Sequence, residues 1–362
     1  MKTNQLDPKK IINDFQLKIF KQINSKKIGQ NIMISPLSIY HILSLAANGA
    51  ANKTLSEMLK LLCHKSQLDL NEKNEIISSI ISELETIKMA NAIFTKFEPE
   101  QTFLKSVMKY KSTIDKLKSV EQVNSWCSKA TNNIINHIID DISGSMILIN
   151  AIYFKGNWSI QFNKNLTKKL PFYNFKNEEK LIDFMKVTNK FDYFEDENIQ
   201  AIQLNYNKDD LKALIILPKK EKDINNYIEN FNTEKYDSII KALKTEEVNL
   251  SLPRFEIHNE EELTDSLIKM GMKEAFGNAD FSVMKKEKNI NISKIIHKTY
   301  IKVDEEGTVA TAVTAVGYIF TGNLFDDDEK FMIVNHPFIF IIRCNYLPDG
   351  HDILFFTKID SL

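Results

Sequence analysis

Residues 305–325 read Glu-Glu-Gly-Thr-Val-Ala-Thr-Ala-Val-Thr-Ala-Val-Gly-Tyr-Ile-Phe-Thr-Gly-Asn-Leu-Phe. Across 309–320 the residues are small, β-branched or aromatic, and none is charged, which is the chemistry of a strand. No proline interrupts them, so each residue can join a ladder. Alternate residues of a strand face opposite sides. One face would carry Thr308, Ala310, Ala312, Thr314, Val316 and Tyr318, and the other Val309, Thr311, Val313, Ala315, Gly317 and Ile319. The first set is small until Tyr318, which suits entry between two strands already in place. Acidic runs at 304–306 and 326–329 bracket the tract, and Gly307 and Gly322 near its ends permit unusual backbone angles. An ordinary buried strand would carry the same chemistry, so the tract needs its context.

A chain of 362 residues exceeds one small core and predicts either one large domain or two. No repeat, low-complexity block or proline-rich linker divides it, so one domain over 1–362 is expected. Its 43% hydrophobic and 26% charged residues are those of a soluble globular protein. A net charge of −1 gives no electrostatic ground for nucleic acid or an anionic membrane as partner. Only Arg254 and Arg343 are arginines, so bidentate clamps are not expected as a theme. Cys63, Cys127 and Cys344 are an odd set without metal-like spacing, which favours a reducing compartment. The first ten residues hold no apolar core, and no run is long enough to span a membrane. A cytoplasmic protein, or one released without a cleaved signal peptide, is expected.

Ile12, Phe15, Ile19 and Ile23 recur at helical spacing. A short strand at 31–34 leads through Ser35-Pro36 into an apolar helix, with Pro36 suited to its first turn. Further helices are expected within 54–85, over 100–117 and over 123–139. Residues 146–154 are apolar on both alternate faces apart from Asn150, the pattern of a central strand buried on both sides. Strands fill 170–217, two short helices follow, and Val248, Leu250 and Leu252 alternate as a strand. A helix with Leu263, Leu267 and Met270 stops at Gly271, and 295–303 is a strand leading into the opening tract. A closing antiparallel pair, 338–343 and 353–357, flanks Pro348-Asp349-Gly350. The class is α+β.

Five blocks in order resemble the serpin family across essentially the whole chain. They are Asn31-Ile-Met-Ile-Ser35-Pro36-Leu-Ser38-Ile, Asn150-Ala-Ile-Tyr-Phe-Lys155-Gly156-Asn-Trp158, Leu252-Pro253-Arg254-Phe255 with Leu267-Ile-Lys-Met-Gly271, Ile295-Ile-His297-Lys298 with Val303-Asp-Glu-Glu306-Gly307-Thr308, and Val334-Asn335-His336-Pro337-Phe338. The resemblance implies three β-sheets, about eight or nine helices and an exposed reactive-centre loop near 305–330. It implies a suicide-substrate inhibitor. A protease cuts the loop and forms an acyl-enzyme, and the freed segment inserts into the main sheet before deacylation. The partner is then a protease held in a covalent acyl complex by a monomeric inhibitor. No catalytic residue, cofactor or metal is implied.

By the same resemblance the loop hinge is Glu306, Gly307, Thr308, Val309, Ala310, Thr311 and Ala312. Ser35, Ser38, Asn150 and His297 form the family's shutter beneath the sheet, and Trp158 lies at the breach above it. The hinge carries no proline and no charge after Glu306, as fast insertion requires. Counting by the family's usual spacing from Gly307 makes Thr321–Gly322 the reactive bond, and a loop one residue shorter makes it Phe320–Thr321. Phe320 before the cut suits a chymotrypsin- or cathepsin G-like protease, and Thr321 an elastase-like one. Two alternatives share the fold: a cross-class inhibitor of papain-like cysteine proteases, and a non-inhibitory carrier or chaperone. A hydrolase is disfavoured, because there is no Gly-x-Ser-x-Gly elbow and no phosphate, dinucleotide or zinc pattern. The lysines between Lys105 and Lys118 fit either a basic helix for a polyanion or a solvated face.

Overall fold

The computed structural model describes residues 8–219, 223–286, 290–308, 330–348 and 350–362. Val309, Ala310, Thr311, Ala312, Phe320, Thr321 and Gly322 lie outside the described residues. In chain order the first elements are α1 (Pro8–Asn24), β1 (Ile32–Ile34), α2 (Pro36–Ala47), α3 (Asn52–Leu61), α4 (Gln67–Glu83) and β2 (Ile87–Thr95). Next come α5 (Gln101–Ser106), β3 (Thr113–Lys116), α6 (Val120–Ala130), β4 (Met146–Phe154) and β5 (Gly156–Asn157). Then follow β6 (Lys168–Tyr173), β7 (Glu179–Glu195), β8 (Ile199–Asn205), β9 (Leu211–Pro218), α7 (Ile224–Glu229) and α8 (Thr233–Ala242). The chain closes with β10 (Lys244–Pro253), β11 (Phe255–Glu262), α9 (Thr264–Lys269), β12 (Ile292–Val303), β13 (Gly307–Thr308), β14 (Lys330–Ile333), β15 (Phe338–Cys344) and β16 (Ile353–Ile359).

The strands form a seven-stranded sheet, β3-β2-β4-β12-β13-β5 with β11 on β12, and a nine-stranded sheet, β1-β16-β15-β9-β8-β7-β10-β14 with β6 on β7. Two of the three sheets the resemblance implies are thus joined edge to edge. The link is β7, whose 17 residues pair with β6 and β10 and then with β8. Every residue of β4 is buried. Leu148, Ile152 and Phe154 enter the main core, while Ile147, Ile149 and Ala151 pack with Val123 and Cys127 of α6. The continuous apolar run therefore has two dry faces to fill. Helix α2 is buried along its whole length beneath the same sheet. Its start is set locally: the Ser35 hydroxyl accepts from the Ser38 N–H at 3.3 Å, and Pro36 occupies the first turn.

Two helices end earlier than periodicity predicts. The span 100–117 holds only the six residues of α5, a short 3₁₀ turn (Met108–Tyr110) and the strand β3. Lys111 adopts a left-handed conformation (φ 51°) and turns the chain into β3, so Lys105–Lys118 is not a basic helix. Helix α6 stops at Ala130 because Asn132 and Asn133 are both left-handed (φ 52° and 62°). His137 consequently lies outside the helix. The strand β11 alternates buried Phe255, Ile257, Asn259 and Glu261 with exposed residues, and its polar inward positions hid it from a hydrophobic reading.

Candidate functional site

The parallel pair β4 and β12 is the seam of the seven-stranded sheet. They pair directly from Lys294↔Ile147 to Tyr300↔Tyr153, with His297 opposite Asn150. No strand lies between them over that length. Parallel strands with nothing between them are the arrangement into which a further strand could enter, antiparallel to both.

Beneath the seam the four shutter positions meet. The Ser35 N–H donates to His297 Nε2 at 3.0 Å, so that nitrogen is bare and the ring proton sits on Nδ1. Nδ1–H donates to Asn150 Oδ1 across the seam. The Asn150 amide donates one hydrogen to Ser38 Oγ and the other to Asn91 Oδ1. Asn91 donates to His41 Nδ1 at 2.9 Å, and His41 Nε2–H donates to Ser78 Oγ at 2.8 Å. The result is a single-direction chain of hydrogen bonds across β12, β4, β2, α2 and α4. Burial pushes His297 down to about 3 and His41 to about 4, so both rings are neutral at pH 7. Leaving any one of these buried groups unpaired costs about 1–3 kcal/mol. His41, Asn91 and Ser78 were not picked out from the sequence. The signal available was Asn91, which falls opposite Asn150 once β2 and β4 are paired.

The first residues of the expected hinge lie at the top of the seam. The chain reverses after β12, with the Asp304 N–H donating to the Gly307 carbonyl at 2.8 Å. Gly307 and Thr308 then form β13, paired with Val303 on one side and with Gly156 and Asn157 on the other. A Cβ on Gly307 would lie 2.1 Å from the Gly156 carbonyl oxygen, so only glycine allows this approach. Thr308 is fully buried, and its hydroxyl hydrogen-bonds Tyr206 Oη at 2.9 Å. Trp158 stacks on Tyr206 (ring centroids 4.4 Å apart, 19° between planes) and donates from Nε1 to the Asp304 carbonyl at 3.0 Å. Glu306 pairs with Lys164.

The scarcity of arginine proves a poor guide to its use. Arg254 Nε reaches both carboxylate oxygens of Glu305 at 2.8 and 2.9 Å, and Nη2 also donates to Glu305. Glu305 is almost fully buried and also accepts from Thr167. Burial alone would raise its pKa, but the Arg254 and Thr167 hydrogen bonds outweigh it and hold the carboxyl below its ordinary value. The second arginine, Arg343, pairs with Asp352 at 3.3 Å inside the molecule. Both arginines thus hold carboxylates away from solvent, contrary to the expectation from composition. The Glu305–Arg254 clamp anchors the residue just before the expected hinge; Arg254 stood out only by its rarity and its place in the Leu252–Phe255 block, and Glu305 only as part of an acidic run.

Comparison with known proteins agrees with this geometry. The profile of the serpin (serine protease inhibitor) family matches residues 10–361. The leukocyte elastase inhibitor of Xenopus laevis is 30% identical over 373 residues, covering 96% of this chain and 97% of that protein. A serpin-like protein of Methanosarcina acetivorans is also 30% identical, over 96% of this chain and 86% of its own. Among solved structures, the thermophilic serpin tengpin in the native state superposes with a TM-score of 0.88 at 32% identity, covering 100% of this chain and 96% of tengpin. The chain belongs to the serpin family, most of whose members inhibit proteases.

Proposed function

We propose that the chain is a suicide-substrate inhibitor of a serine endopeptidase with an elastase-like or a chymotrypsin/cathepsin G-like pocket. The observation that carries the reading is the register of β13. Thr308 lies opposite Val303 and Gly156. A strand continuing antiparallel from there would place Ala310 at Ile301 and Phe154, Ala312 at Thr299 and Ile152, Thr314 at His297 and Asn150, and Val316 at Ile295 and Leu148. The two ladders agree, because β12 and β4 already hold those positions side by side. The core-facing set of such a strand is Thr308, Ala310, Ala312, Thr314 and Val316, which is small enough to enter between packed strands. Insertion exchanges one parallel ladder for two antiparallel ones, which favours the inserted form. It severs the His297–Asn150 bond, and the Thr314 hydroxyl, donor and acceptor at once, replaces it on both sides.

In this mechanism the protease serine oxygen bonds to the Thr321 carbonyl carbon. The Thr321–Gly322 peptide bond breaks, and Gly322 departs with a free amine. Insertion then outruns hydrolysis of the ester. The Xenopus relative's name, an elastase inhibitor, supports the Thr321 cut; a cut at Phe320 would move the target to the chymotrypsin-like side. The protein acts as a monomer. The test is incubation with chymotrypsin, cathepsin G, elastase, trypsin and a papain-like protease, read on denaturing gels with the cut located by mass spectrometry. An SDS-resistant band at the summed mass with a serine protease is the expected result. The same band with the papain-like enzyme alone would establish cross-class inhibition, and cleavage without any such band a non-inhibitory carrier.

A further inference from the structure

Helix α3 ends in a turn that favours glycine and holds a cysteine. The His64 N–H donates to the Leu59 carbonyl at 2.9 Å and the Cys63 N–H to the Lys60 carbonyl at 3.3 Å, with Cys63 in the left-handed region (φ 63°). Glycine takes that position without strain, and other side chains are uncommon there. Cys63 is half-buried and lines a cleft of about 910 Å³ between α1, α3, α7 and the end of α9. None of the three cysteines is disulfide-bonded. The other two are fully buried, and burial pushes the Cys127 thiol up to about 12 and raises that of Cys344 as well. Among the described residues the charged groups lining the cleft are Lys18, Lys21, Lys60, Glu57 and Glu229. Glu57 already accepts from the backbone N–H groups of Lys273 and Glu274 at 2.7 and 2.8 Å, so the balance is positive. Asn24, the last residue of α1, lines the same cleft. It is 6% exposed, and its Oδ1 is buried without a hydrogen-bond partner, a loss that a donor arriving in the cleft would repair.

A thiol, a positive lining and an orphaned acceptor match a ligand that carries a sulfur, carboxylates and an N–H donor. We propose that the cleft is a modification site, at which Cys63 forms a mixed disulfide with a small anionic thiol peptide of the glutathione class. The Cys63 thiol gives its proton to water, and the thiolate attacks one sulfur of the peptide's disulfide dimer. The dimer's S–S bond breaks as the bond to Cys63 Sγ forms, and the second half leaves as a thiolate that takes up a proton. One disulfide is consumed and one is made, so no further oxidant is needed. The peptide's carboxylates pair with Lys60 and the α1 lysines, and a peptide N–H donates to Asn24 Oδ1. Lys60 lies one turn back from Cys63, where its charge favours both the thiolate and the approach of an anionic disulfide. The volume is that of a small-molecule site and admits a tripeptide. The site is independent of the inhibitor reading.

The experiment treats the full-length chain with three disulfides in turn: glutathione disulfide, which is anionic, 2-hydroxyethyl disulfide, which is neutral, and cystamine, which is cationic. Adducts are located and timed by peptide mass spectrometry, and each rate is divided by that of the urea-unfolded chain. Cys63 is expected to carry the adduct while Cys127 and Cys344 stay unmodified. The normalised rate for glutathione disulfide should exceed that for the neutral disulfide about tenfold, with cystamine slowest. Lys60→Gln should cut that advantage about two- to fivefold, and Asn24→Ala by a similar factor, with little change for the neutral disulfide. Lys60 is exposed, so Lys60→Gln tests the site even if Asn24→Ala disturbs folding. Cys63→Gly should abolish the adduct and keep the fold. Equal normalised rates for the three disulfides, in wild type and variants alike, would overturn the site, as would a native chain that takes no adduct at Cys63. If the adduct forms as expected but no protease complex does, the inhibitor reading fails and the site stands.

Discussion

Replacing Thr308 by arginine tests the hinge most directly. Thr308 has no solvent-accessible surface and faces the core beside Tyr206. The nearest carboxylates along the chain, Glu305 and Glu306, are already engaged by Arg254 and Lys164. An arginine here would bury an unpartnered charge, at a cost of about 3–5 kcal/mol. If that cost falls on the insertion step, the rate drops by roughly a hundred- to several-thousand-fold, at about 1.4 kcal/mol per tenfold. Hydrolysis of the acyl-enzyme, a property of the protease, is unaffected and wins the competition. The variant should therefore be cleaved at the wild-type bond and released, with the SDS-resistant band lost. Because Thr308 is already buried before any cleavage, expelling β13 should also lower Tm by a few degrees. Thr308→Ala keeps the residue small and serves as the control. A Thr308→Arg protein that traps protease at unchanged stoichiometry would refute both the inward face and the insertion register built on it.

Thr314→Val should leave the uncleaved protein's Tm unchanged but reduce the heat stability gained on loop cleavage by about 1–3 kcal/mol, because His297 and Asn150 would lose their shared partner. An unchanged gain, measured by thermal melts of cleaved wild type and variant, would move the register. His41 and His297 are held neutral by burial, at about 4 and about 3, below the ordinary 6.5. The unfolded chain binds their protons first as pH falls below 6.5, so stability should decline toward pH 4 by about 1.4 kcal/mol per unit for each ring. His297→Gln should flatten that slope by about one proton in urea melts across pH 4–7, and an identical slope would show that other groups dominate. Glu305 titrates the opposite way to a group gaining its proton on folding: its stabilising pair is intact above the ordinary carboxylate range and lost as pH falls through its lowered pKa. Glu305→Gln should therefore lower Tm at pH 7 and converge with wild type in acid. Neutralising residues 326–329 with Asn and Gln should slow association with a cationic protease at low salt and abolish the salt dependence; an unchanged rate constant would exclude steering.

Much of the architecture was legible because its signals are local. The doubly apolar run of β4, the Ser35-Pro36 start of α2 and the Gly271 stop are decided by residues within one or two turns of each other. Order along the chain made the family resemblance specific. The misreadings share a cause as well. Over 100–117 and 123–139 the helical period continued past residues that the backbone could place in the left-handed region, and periodicity carries no record of that choice. Lys111, Asn132 and Asn133 made it.

The sequence by itself determined the composition of an expected hinge that can be buried: small, uncharged after Glu306 and free of proline. It also named four of the polar groups beneath the sheet. Only the tertiary structure decided that β4 and β12 are hydrogen-bonded to each other, that Thr308 already sits at the head of their seam, and that the polar groups form one directed chain ending at Ser78. These facts depend on register between strands well over a hundred residues apart in sequence and on which nitrogen of a buried ring is left bare. The same holds for Arg254 and Glu305. A charge pair is chosen by distance in the folded chain and by exclusion of water, and neither is written in the identity of either residue.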